Sequence, residues 1–101
     1  MNHTIPEETR ELFRAILSLE NEEECAAFFE DICTIKEIQD LSQRLQVASM
    51  LNQGEKYQKI EQTTGASTAT ISRVNKCLVY GSGGYRTVLK RRFKTEEKEQ
   101  A

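Results

Sequence analysis

Residues 57–78 read YQKIEQTTGASTATISRVNKCL. A helix-turn-helix needs two short helices set steeply by a tight turn, and the turn needs a residue that tolerates positive φ, which Gly65 supplies. Ile60 stands five residues before that glycine, Ala66 directly after it, and Ile71 and Val74 six and nine residues after it. That spacing gives the interior of a packed helix pair. Ser67 is placed to cap the second helix. Thr68, Ala69, Thr70 and Ser72 follow at its start, small and mostly hydroxylated; such side chains fit in a DNA major groove, and their hydroxyls can donate to phosphates or base edges. Gln58 and Lys59 begin the first helix of the pair, where phosphate contacts are common, and Arg73 and Lys76 add positive charge. Glu61 is off pattern, because close packing of the two helices prefers a small residue there. The plainer reading is that Gly65 only ends one core helix before another begins.

The flanking sequence reads as helix throughout. Thr4-Ile5-Pro6-Glu7 predicts a start capped by Thr4, with Leu12, Phe13, Ile16 and Leu17 as its apolar stripe. Asn21 followed by three glutamates predicts a second helix with Cys25, Phe28, Phe29, Ile32 and Cys33 on one side. Thr34 and Glu37 form a capping box for a third, which runs to about residue 53 and presents Ile38, Leu41, Leu45, Ala48 and Met50 or Leu51. Gly54 fits its left-handed end. After the helix-turn-helix of residues 57–79, a glycine-rich joint at 80–84 leads to a C-terminal helix at 85–94, with Tyr85, Val88, Leu89 and Phe93 on one side. The tail is 95–101. The expected fold is all-α, one domain of six short helices, with residues 1–53 serving dimerisation. Stripes this broad expose more apolar surface than one chain of 101 residues can bury.

The net charge of −2 conceals a division. Residues 1–33 carry nine acids against Arg10 and Arg14, whereas residues 56–94 carry nine bases against Glu61 alone. A basic stretch of this kind suits an anionic partner such as double-stranded DNA, unless the acidic segment neutralises it within the fold. Lys90, Arg91, Arg92 and Lys94 either reach flanking phosphates or pair with the acids at 20–24 of a second chain. No apolar run spans a bilayer, and MNHTIPEETR has neither the basic nor the apolar region of an export signal, so a cytoplasmic protein without a membrane partner is expected. Cys25, Cys33 and Cys77 match no zinc spacing and are expected as reduced thiols packed like small hydrophobes. The single histidine, His3, has no nucleophile or carboxylate set around it in sequence, so no metal, no catalytic residue and no enzyme are expected. A helical protein-interaction adaptor that does not read DNA is the competing reading.

The segments TIKEIQDLSQRLQVASMLNQGEKYQKI (34–60) and TTGASTATISRVNKCL (63–78) resemble the Trp repressor superfamily, and within it the small TrpR-like YerC/YecD branch. The resemblance implies an intertwined homodimer acting as a transcriptional repressor, its two heads entering successive major grooves about 34 Å apart, as helix-turn-helix dimers generally do. It also implies a candidate effector pocket. Arg44 and Arg73 match the arginines that sandwich the indole of a bound tryptophan, and Thr34 matches a residue near its ammonium group. Val74 replaces the glycine that leaves room for the ring, and Cys77 replaces a serine. Between Gln58 and Thr64 the chain is one residue shorter than the repressor. With Val74 in the slot, neither tryptophan nor another small effector is expected as a cofactor.

Overall fold

The structure, a computed structural model, describes residues 4–93. His3, Lys94 and the 95–101 tail lie outside them. The described residues form six α-helices and no strand: α1 (Glu7–Leu17), α2 (Glu22–Ile32), α3 (Ile35–Asn52), α4 (Tyr57–Thr64), α5 (Thr68–Tyr80) and α6 (Gly84–Arg92). Two compact units divide the chain, Met1–Gln39 and Asp40–Ala101, and the division falls within α3.

Local chemistry sets the helix ends. Asn21 accepts the Glu24 amide at 2.9 Å at the start of α2. At α3 the expected capping box is complete: Thr34 Oγ1 accepts the Glu37 amide, and the Glu37 carboxylate accepts the Thr34 amide at 2.8 Å. At its other end Gly54 has φ 85°, and the amides of Gly54 and Glu55 turn back to the carbonyls of Leu51 and Met50. Three boundaries differ from expectation. α6 ends at Arg92 rather than at residue 94, with Phe93 already outside helical backbone at φ −121°. α5 continues through Tyr80, and α6 already begins at Gly84 behind Gly83 at φ 92°. Thr4 does not cap α1. Pro6 holds the cap position, its carbonyl taking the amides of Thr9 and Arg10, so the helix begins too late for the Thr4 hydroxyl to serve it.

In the first unit α1 and α2 contain no buried residue. The expected stripes are only partly covered: Ile16, Phe28 and Phe29 are half-buried, Leu12, Phe13 and Ile32 are 38–51% exposed, and Leu17 is 82% exposed. Arg14 bridges Glu7 and Glu11 along the charged side of α1. Two short helices cannot between them cover stripes of this width.

The core belongs to the second unit. Val47 and Ala48 of α3, Ile60 of α4, Ala66 of the turn, Ile71, Val74 and Leu78 of α5 and Leu89 of α6 are buried together, with Leu45, Met50, Leu51, Tyr85 and Phe93 packed around them. The four interior positions expected of the helix pair are all here. Leu41 and Val88, expected on apolar faces, are instead half exposed, and Val47 is buried in their stead. The cysteines also depart from expectation. Cys25 and Cys77 are exposed and Cys33 is half-buried, so none is packed in the core; all three are free thiols.

Candidate nucleic-acid interface

Gly65 ends α4 at φ 76°, and its amide returns to the Glu61 carbonyl at 2.9 Å. The turn is then held from three directions. Thr64 Oγ1 donates to the Ile60 carbonyl at 2.7 Å and accepts the Ala66 amide at 3.0 Å. From α3, Gln43 Nε2 donates to the Thr64 carbonyl at 3.1 Å, tying the turn to the long helix. Ser67 accepts the Thr70 amide and donates to Thr70 Oγ1, both at 3.1 Å. With Ile60, Ala66, Ile71 and Val74 buried beneath, the start of α5 is fixed in position rather than merely helical.

The opposite side of α5 is free. Ala69, Thr70, Ser72, Arg73 and Lys76 line one broad, open depression. Ser67, Thr68, Ala69, Ser72, Arg73 and Lys76 are exposed and Thr70 is half-buried, while Gln58 and Lys59 are exposed on α4. The periodicity explains the division: 71, 74 and 78 face the core, and 68, 72 and 76 stack on the outer face. Among the described residues the side chains of Lys59, Arg73 and Lys76 form no ion pair or hydrogen bond.

Glu61 has a partner that the sequence reading missed. Its half-buried carboxylate accepts the hydroxyl proton of Thr68 across the turn. Thr68 was expected to donate to a phosphate or a base edge, and in the structure that proton is already engaged. Charge pattern alone could not show this, because the two residues are seven apart in sequence and meet only once the turn has formed.

Four of the five residues expected of an effector pocket converge. Arg44, Arg73, Val74 and Cys77 line a concavity of about 410 Å³ together with Thr70 and Tyr85. Thr34 lies in the first unit and caps α3. Tyr85 is an addition, brought in by the packing of α6 on α5. Burial holds its phenol above the ordinary tyrosine value, the neighbouring Cys77 adds to the effect, and Arg44 works against it. Neither Arg44 nor Arg73 is paired with an acid among the described residues. Val74 is buried in the core and also contributes to the wall. Thr70 and Arg73 line both the concavity and the outer face of α5.

A long helix leading to a glycine turn, and a capped second helix with two arginines beside a concavity, match a known model: residues 7–93 fit that of the Trp repressor protein. The chain belongs to the Trp repressor family. Within it, the chain falls in the TrpR-like YerC branch, being 58% identical to YerC of Bacillus subtilis over 88% of this chain and 86% of that protein. Solved structures agree. A candidate Trp repressor from Staphylococcus aureus shares 57% identity with a TM-score of 0.83, over 86% of this chain and 87% of that one. A TrpR-like protein from Eubacterium eligens shares 52% with a TM-score of 0.85, over 88% and 92%. Among the described residues no group of three metal-ligating side chains occurs, and no helix is long and apolar enough to cross a membrane.

Proposed function

We propose that this Trp repressor family member is a cytoplasmic, sequence-specific DNA-binding regulator, a repressor acting as a homodimer. The observation that carries the proposal is the outer face of α5, where Ala69, Thr70, Ser72, Arg73 and Lys76 share one open surface with no acid paired to its cations. Small side chains allow a helix to sit deep in a major groove, and unpaired cations supply the phosphate attraction that dominates affinity. Lys59, Arg73 and Lys76 take the phosphates. Ala69, Thr70 and Ser72, with Thr68 at the tip, face the base edges, Gln58 reaches a phosphate, and Ser67 fixes the register through the first turn it caps. Helices α1 and α2, with no residue buried in this chain, offer the surface on which a second copy assembles. Tryptophan is not part of the proposal, because Val74 stands where the family has the glycine that admits the indole.

A gel shift against genomic fragments tests the reading. Wild type is expected to retain a subset of fragments, and Thr70→Asp, which sets a carboxylate against the groove, is expected to retain none. Undiminished retention by Thr70→Asp contradicts the assignment, and retention of no fragment by the wild type favours a protein-interaction role.

A further inference from the structure

Glu61 is the only acid in residues 56–94, and it sits inside the reading head. It is not there to balance a cation: its carboxylate is joined to the hydroxyl of Thr68, the first residue of α5. Thr68 lies one turn before Ser72 and two before Lys76, so the pair forms the tip of the outer stripe.

A hydroxyl has one proton to donate. Once that proton is given to Glu61, Thr68 offers only lone pairs, and an ionised carboxylate likewise only accepts. The tip is therefore an acceptor patch on a face that is otherwise cationic. It cannot hold a phosphate, which has no proton to give and is repelled by the carboxylate. In a major groove the donors that complement it are the exocyclic amines, N4 of cytosine and N6 of adenine. The O6 and N7 of guanine and the O4 of thymine oppose it.

We propose that the Glu61–Thr68 pair is a specificity element, selecting a base with an exocyclic amine at the groove position beneath the start of α5. This rests on the DNA-reading role proposed above. It gives the pair a different task from Arg73 and Lys76, which hold the backbone whatever the sequence.

The test uses the full chain and a duplex selected from genomic fragments by the wild type, with each base pair of a half-site replaced in turn. Wild type is expected to prefer an amine-bearing base about tenfold at one position. Glu61→Gln keeps the shape but adds a donor, and is expected to reduce that preference to about threefold or less while leaving the other positions unchanged. Its affinity for random duplex is expected to rise, since a negative charge has left the face. Thr68→Val, an exposed substitution of similar shape, is expected to weaken the same preference and carries the test alone if Glu61→Gln melts early. Preferences unchanged in both variants overturn the inference, as does a loss spread evenly over all positions, which marks a purely structural pair. A wild type that binds operator and random duplex alike overturns the DNA reading and this inference together.

Discussion

Single residues in the second unit answer different constraints even when they are the same amino acid. Gly65 needs its left-handed backbone, but an added Cβ there meets nothing within 4 Å. Gly81 has an ordinary φ of −82°, yet a Cβ would lie 2.2 Å from the Cys77 carbonyl oxygen, a backbone atom held by the helix it terminates. Gly65→Ala is expected to cost about 1–2 kcal/mol of backbone strain, and Gly81→Ala more, because the end of α5 must move. Thermal melts of the two variants check the order. Tyr85 gives a pH signature. Its phenol is held neutral above the ordinary value of 10.0, chiefly by burial, so the folded state keeps that proton more tightly than the unfolded chain. Its contribution to stability is complete below about pH 10 and is lost as pH rises from there through the raised native value. Tyr85→Phe is therefore expected to show a shallower loss of stability above pH 10 than wild type, measured by urea unfolding across that range.

At the level of helices, what was legible in the sequence is what is local. Asn21, Thr34 and Ser67 cap the helices they precede, and Gly54 and Gly65 end theirs, because each effect needs only three or four neighbouring residues. Ser67→Ala is expected to cost about 1 kcal/mol. It should lower the melting temperature by roughly 4–8 °C and reduce DNA affinity as well, since Ser67 fixes the first turn of α5. Thr34→Ala is expected to cost about 1 kcal/mol through its cap with no direct effect on the reading face. Comparing melts with binding isotherms separates the two. What escaped the sequence is contact made at a distance: Gln43 to the turn, Glu61 to Thr68, and Tyr85 to the wall of the concavity. Thr4 misled because its spacing to Glu7 imitates a capping box, whereas the backbone enters the helix only after Pro6.

On the scale of the whole molecule, the apolar periodicity of α1 and α2 was readable but not what it buries against. The described chain leaves Leu17 82% and Ile35 75% exposed, with Phe13 and Ile32 about half so. Surfaces of this kind on a small chain call for association, and we assign them to a second copy. Wild type is expected to sediment as a dimer at micromolar concentration, and Leu17→Glu as a monomer that binds DNA at least tenfold more weakly through loss of the second half-site. A monomeric wild type contradicts the assignment.

The reading face of α5 is best probed by the salt dependence of binding. Anisotropy titrations of a selected duplex, repeated between 50 and 200 mM salt, give the slope of log affinity against log salt for wild type and for Arg73→Ala. A steep negative slope is expected for wild type. Losing Arg73 should make it shallower by about one unit for each phosphate contact removed, and its affinity should fall at every salt concentration. An affinity indifferent to salt, or an Arg73→Ala variant indistinguishable from wild type, contradicts a role for this face in holding DNA.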